Sequence, residues 1–160
     1  MASLVRGSIA EDVNNQQRAH ETEEFLHQQI PITRAMGVRI EAYDGQQLVL
    51  TAPLTINHNH LGTAFGGSLS AVATLAGYSL LWLELGDPTA HVLVRESTIS
   101  YRRPVRKEIR AVCPRPNEAA VAAFKAEFAQ KGKSRIRLDV SVQEDGLTAV
   151  EFSGTFVALK

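Results

Sequence analysis

Asn57-His58-Asn59-His60-Leu61-Gly62-Thr63-Ala64-Phe65-Gly66-Gly67 concentrates amide, imidazole and hydroxyl groups just ahead of a long apolar segment. That segment carries no Asp, Glu, His, Lys or Cys from Gly66 to Leu83. A helix beginning at the glycine pair leaves its first N–H groups without intrahelical partners, at the positive end of the helix dipole. Such groups stabilise an oxygen on which negative charge develops. Gly66 and Gly67 put no side chain in a ligand's way, although the same feature also permits close packing. Thr74 stands seven residues after Gly67 and shares its helical face two turns further in. Its hydroxyl either meets a ligand or bonds the carbonyl four residues back. Asn59 is either a donor in the loop or a residue that fixes a turn.

The surrounding chain must hold this segment. At 160 residues, with 44% apolar and 21% charged residues, it is long enough for one well-buried core. Its formal net charge of zero does not favour nucleic acid as a partner. Cys113 is the only cysteine, which excludes an internal disulfide and a cysteine metal cluster and points to a reducing, cytoplasmic compartment. No metal or cofactor is called for. The apolar segment has a borderline length for a membrane span. Ser68, Ser70, Thr74 and Ser79 are spread along it and basic flanks are missing, so no membrane is expected.

In chain order, residues 1–18 read as a flexible leader and 19–160 as a single domain. A short helix is expected from His20 to Ile30, stopped by Pro31. Val38 to Tyr43 and Leu48 to Ala52 alternate as strands around the turn Asp44-Gly45. Gly86-Asp87-Pro88 ends the apolar helix. Ala90–Tyr101 and Val105–Cys113 read as strands separated by Arg102-Arg103-Pro104. Asn117 caps a helix that ends at Gly132. Two more strands meet at Glu144-Asp145-Gly146. A helix apolar all round must be buried all round. Its small residues Gly66, Ser70, Ala73 and Gly77 form a thin face, whereas Leu69, Val72, Leu80 and Leu83 supply bulk. The order predicts an α+β hotdog fold, an antiparallel sheet wrapped around a long central helix. One copy's strands cannot cover that helix on every side, so a homodimer or a dimer of dimers is expected.

The run Asn59-His60-Leu61-Gly62-Thr63-Ala64-Phe65-Gly66-Gly67 resembles the N-x-x-G-x-x-H-G-G entry of hotdog acyl-CoA thioesterases. Phe65 replaces the usual histidine, and Thr74 stands where those enzymes usually place a catalytic aspartate. Phe-Gly-Gly-Ser-Leu, with Thr74 and the run to Leu83, is more similar to another branch. That branch is the thioesterase-like domain of certain bacterial acetyltransferase fusions and its stand-alone relatives, which include malonyl-acyl-carrier-protein decarboxylases. The resemblance implies an active-site Asn at Asn59 and a Thr at Thr74; Phe65 and Gly66 are expected beside the substrate, and Gly67 is expected to supply an N–H from the helix start. It also implies a thioester substrate carried on acyl carrier protein or CoA.

Hydrolysing a thioester requires an activated water or a nucleophile, and neither Asn nor Thr titrates near neutral pH. Decarboxylating a malonyl thioester requires the C–CO2 bond to lie perpendicular to the carbonyl plane, and donors for the resulting enolate oxygen. Asn59, Thr74 and the Gly67 N–H are groups of that kind. His58 and His60 are the general bases a hydrolase would use, if either pointed inward. Arg95 could meet a carboxylate or pair with Glu96. Arg102, Arg103, Arg106, Lys107 and Arg110 form either a solvated edge or a dock for CoA phosphates or an acidic carrier protein. Three classes follow: a malonyl-thioester decarboxylase, an acyl thioesterase, and a non-catalytic acyl-binding or dimerisation module.

Overall fold

The computed structural model describes the backbone from Ala2 to Lys160 and the side chains from Ile9 onward. Helix α1 spans Ala2–Gln29. Residues 2–18, expected as a flexible leader, form the N-terminal part of this helix. No proline interrupts it before Pro31, and Asn15, Ala19, Thr22 and Leu26 are buried at helical spacing. Phe25 stacks on Trp82 with ring centroids 3.8 Å apart. After a short helix α2 (Ile32–Ala35) come strands β1 (Arg39–Tyr43) and β2 (Gln47–Ala52). In their hairpin, Asp44 Oδ1 accepts the N–H groups of Gln46 and Gln47, and Gly45 takes φ 81°.

The apolar segment is helix α3, Gly66–Leu85, ended by Gly86 in the left-handed region. Then come β3 (His91–Tyr101), β4 (Ile109–Pro114), α4 (Glu118–Lys131), β5 (Lys133–Glu144) and β6 (Leu147–Leu159). The Asn117 side chain caps α4 as expected, accepting from Ala120 N. The turn between β5 and β6 has Asp145 at φ 52° and Gly146 at φ 75°, as a tight hairpin requires. Strand β4 begins later than the expected Val105. Val105 O is taken by Ala64 N at 2.8 Å, and the Arg106 and Lys107 N–H groups both donate to Glu144 Oε1, so this stretch cannot join the ladder.

The six strands form one antiparallel sheet in the order β1-β2-β4-β5-β6-β3. It curls around α3, whose Val72, Ala73, Ala76 and Leu80 are fully buried. A Cβ at Gly77 would lie 2.7 Å from Phe156 Cζ, so the helix backbone rests directly on β5 and β6. The helix has the length and mean hydropathy (1.3) of a membrane span, but 61% of it is buried inside the chain's own fold. The sheet's two edges differ. At β1 the Ile40 N–H is taken by Glu23 of α1 at 2.8 Å. Strand β3 has no neighbour on its outer side among the described residues, and it exposes Leu93, Val94 and Tyr101.

Candidate active site

The loop from Asn57 to Phe65 folds back on itself. Asn59 N donates to Thr63 O at 2.7 Å, Gly62 N to Asn59 O at 3.1 Å, and Phe65 N to Asn57 O at 2.8 Å. Asn57 is buried and tethers the loop through Nδ2 to the carbonyls of Met36 and Pro53. Asn59 is half-buried. Its Oδ1 accepts from the N–H groups of Leu61 and Thr63, and its Nδ2 donates to Thr63 Oγ1 at 2.9 Å. It therefore fixes a turn, as the blander reading had it. One amide hydrogen is left without a protein acceptor among the described residues. His58 and His60 are exposed, and His58 Nδ1 lies 2.9 Å from the Asn59 carbonyl oxygen rather than reaching toward the helix.

The loop delivers the chain to α3 with Phe65 as N-cap and no side chain capping the helix. The first N–H with a partner is that of Leu69, which donates to Phe65 O at 3.0 Å. Those of Gly66, Gly67 and Ser68 have no protein acceptor among the described residues, so three donors stand free at the positive end of a long helix. The Phe65 ring is 55% exposed and lies over Gly67, where a Cβ would come within 2.4 Å of it. Gly67 therefore has to be glycine for the ring to take this place. Thr74 is half-buried on the same side of α3 as Gly67 and Ser70, and its Oγ1 donates to Ser70 O at 2.8 Å. No hydrogen bond joins Asn59 to Thr74. Within one chain the two remain separate features, and neither lines the cleft at the helix entry.

A cleft of about 280 Å³ opens at this entry, lined by Ala64, Gly66, Leu69, Tyr101, Arg102, Arg103 and Pro104. The structure thus brings Gly66 together with Arg102 and Arg103, two of the basic residues singled out in the sequence. The contact runs through the Ala64–Val105 backbone bond and through the N–H groups of Arg102 and Arg103, both of which donate to Ala149 O. Arg102 also pairs with Glu151 at 2.6 Å, Lys107 with Asp145 at 2.7 Å and Arg110 with Glu41 at 3.5 Å. Arg103 and Arg106 have no carboxylate partner among the described residues, and both are exposed. Arg95 is not part of this site. It sits at a β-bulge in β3 and lines a separate cleft with Glu127, Lys131, Lys133, Ser134, Arg135 and Val157.

One residue of the entry is absent from the sequence reading. Tyr101, the last residue of β3, donates from its hydroxyl to Gly66 O at 3.2 Å. Its only signal in the sequence was its position beside Arg102-Arg103-Pro104.

The opposite end of α3 is closed. Glu84 is buried, and its carboxylate meets Arg115 Nε at 2.6 Å, Lys125 Nζ at 3.0 Å and the Tyr43 hydroxyl at 3.1 Å. Burial alone would raise its carboxyl pKa, but hydrogen bonds and charge from Arg115 and Lys125 outweigh that and hold it below the usual range. Burial, reinforced by Glu84, pushes the Tyr43 phenol up to about 12. Arg18 of α1 donates to Leu83 O, one of the last carbonyls of α3. Cys113 is buried, and desolvation pushes its thiol up to about 12, which removes it from nucleophilic chemistry.

Among solved structures, a Chlorobaculum tepidum TLS protein of unknown function is 34% identical, covering 91% of this chain and 96% of its own, with a TM-score of 0.85. A protein from Shewanella oneidensis described as a "putative thioesterase" is 24% identical over 91% of this chain and 99% of its own, with a TM-score of 0.81. A Pseudomonas aeruginosa protein of unknown function, described as a "probable thioesterase", is 22% identical over 88% and 94%, with a TM-score of 0.74. These two establish the fold alone. The family profile described as "Putative thioesterase (yiiD_Cterm)" matches residues 19–160, which takes in the entry loop, α3 and the whole sheet. With its helix-wrapping sheet and glycine-opened helix entry, the chain belongs to this YiiD_C family of hotdog-fold, thioesterase-like proteins.

Proposed function

We propose that this protein acts on an acyl thioester, and that it decarboxylates a malonyl group carried on acyl carrier protein, leaving the acetyl thioester to prime fatty-acid synthesis. The observation that carries this reading is the character of the α3 entry. It offers the free N–H groups of Gly66, Gly67 and Ser68, and among the described residues no Asp, Glu, His, Lys or Cys lines its cleft. In the reaction the C–CO2 bond breaks, its electron pair enters the thioester carbonyl to form an enolate, and CO2 leaves. The α-carbon then takes a proton from water. The Gly67 N–H and the free amide hydrogen of Asn59 stabilise the enolate oxygen. Thr74 joins them by releasing Ser70 O through a rotation about χ1, and holding the malonyl conformer supplies the remainder. Gly66 and Phe65 border the bound group. Arg102, Arg103 and Arg106 meet the acidic surface of the carrier protein, or the phosphates if the carrier is CoA.

The second reading is thioester hydrolysis. The family description and the wording attached to the Shewanella and Pseudomonas proteins favour it. It requires His58 or His60 to turn inward from an exposed position. Incubation with malonyl carrier protein separates the readings. Acetyl carrier protein and CO2 are expected. Free carrier thiol and malonate would establish hydrolysis instead, and an unchanged substrate would leave a binding module.

The functional unit in this proposal is a homodimer or a dimer of dimers joined through the open edge of β3. An eleven-residue strand with exposed Leu93 and Val94 is poorly suited to stand alone in water. Small-angle scattering at micromolar concentration should give at least twice the chain mass; a monomer would contradict the assembly.

A further inference from the structure

The peptide unit between Gly66 and Gly67 has two ends that matter. Its N–H is the Gly67 donor at the helix entry. Its carbonyl is Gly66 O, which accepts from the Tyr101 hydroxyl at 3.2 Å. We infer that Tyr101 is a positioning residue for the reaction: it holds and polarises the Gly66–Gly67 peptide, and so aims and strengthens the Gly67 N–H that faces the thioester oxygen. This rests on the proposed thioester reading, but not on the choice between decarboxylation and hydrolysis. An enolate and a tetrahedral intermediate both place negative charge on that oxygen.

Three observations carry it. First, the entry is weakly held. Two successive glycines have more backbone freedom than any other pair, the first helical turn lacks a side-chain cap, and Phe65 and Gly67 are both exposed. Within a helix the Gly66 carbonyl is engaged only by the N–H four residues on, so Tyr101 adds a second donor from outside. Second, a hydrogen bond to a carbonyl polarises the whole amide, making the N–H of that peptide a better donor. Third, Tyr101 is anchored. It is the last residue of β3, pairs with Val150 of β6 in the register, and is followed by Arg102 and Arg103, whose N–H groups both bond Ala149 O. The ring packs at ordinary contact distance above Gly66, where a Cβ would lie 3.7 Å from it. The strand end is thereby tied to the helix start. The tie also brings Tyr101, Arg102 and Arg103 into the cleft that Gly66 lines.

Tyr101→Phe tests this, because it keeps the ring and removes only the hydroxyl. Thioester turnover should fall about fivefold in kcat, the rate equivalent of one ordinary hydrogen bond. KM should stay within about twofold, because the bond acts most strongly when charge develops. The melting temperature should be unchanged, as the side chain is half-exposed. The direct readout is NMR on the full-length protein without substrate. The Gly67 amide proton should shift upfield in Tyr101→Phe, and its base-catalysed exchange with solvent should slow, because the peptide oxygen loses the donor that makes the N–H acidic. An unmoved Gly67 amide would overturn the inference whatever the kinetics show. A loss confined to KM would also overturn it and make Tyr101 a substrate contact. If wild type turns over no thioester while the Gly67 amide still moves, the functional reading has failed and the tether stands.

Discussion

At its C-terminal end α3 buries Glu84 among Arg115, Lys125 and Tyr43, with Arg18 on the Leu83 carbonyl. At its N-terminal end it exposes Gly67 and leaves the N–H groups of its first turn free. The same helix therefore has one end where a buried carboxylate is met by three partners and one where donors are left over. The partnered end gathers β1, the β4–α4 connection and the middle of α4 around one carboxylate, with α1 on the neighbouring Leu83 carbonyl, which is a stabilising arrangement. The open end lacks a side-chain cap, and in the proposed function its free donors serve transition-state stabilisation. Polar residues are thus no guide to function by themselves: the charged cluster holds the fold together, and the uncharged loop carries the proposed chemistry.

The comparison breaks first at the closed end. Glu84→Ala leaves the Arg115 guanidinium, which is only 17% exposed, with Glu118 as its remaining carboxylate and should cost about 3 kcal/mol of unfolding free energy in urea. Turnover per folded molecule should stay near wild type. The pH dependence has a definite sign. Because the folded-state pKa of Glu84 is depressed, its stabilisation is fully present above its ordinary value of 4.5 and is lost as pH falls through the lower folded value. The stability gap between wild type and Glu84→Gln should therefore be constant from neutrality to about 4.5 and close below it. A gap that persists at pH 2 would assign the cost to packing rather than to charge.

The open end should respond in the reverse way. Asn59→Ala and Thr74→Ala should each lower kcat on the order of a hundredfold, with melting temperatures within a few degrees of wild type. Thr74→Ser should keep part of the activity, since it retains the hydroxyl but loses the methyl that restricts χ1. Full activity in both alanine variants would remove these residues from the site. The smallest effect is expected at the rim. Reversing Arg102 and Arg103 to Glu should raise KM for a carrier-protein substrate on the order of tenfold at low salt, and less as salt screens the contact. A pantetheine-sized substrate should be affected less. Equal losses for both substrates at every ionic strength would indicate misfolding of the bend instead.

Much of this architecture was legible because it rests on periodicity and turn chemistry. The central helix, the hairpins at Asp44-Gly45 and Asp145-Gly146, and the Asn117 cap each depend on a few adjacent residues. What escaped depends on partners distant in the chain. Between residues 9 and 18 of α1 only Asn15 is buried, and it carries no apolar signal, so that stretch read as a leader. The stretch after Val105 looks strand-like, yet its backbone is claimed by Ala64 and Glu144. At the proposed site, it was the resemblance carried by the Asn59–Gly67 run that implied roles for Asn59 and Thr74. That Asn59 also braces Thr63, that Thr74 bonds Ser70, and that Tyr101 reaches Gly66 are facts of three-dimensional placement.

The central claim is that the open end of α3 works by positioning and donating hydrogen bonds, with no side chain transferring a proton as a titrating base. The most direct test is the pH profile of kcat for malonyl carrier protein in wild type and in the His58→Ala, His60→Ala double variant. A flat profile is expected between about pH 5.5 and 8, where an imidazole would titrate, with the double variant within about threefold of wild type at every pH. A sigmoidal rise centred near the ordinary imidazole pKa of about 6.5, abolished in the double variant, would contradict it and place a histidine base at the entry.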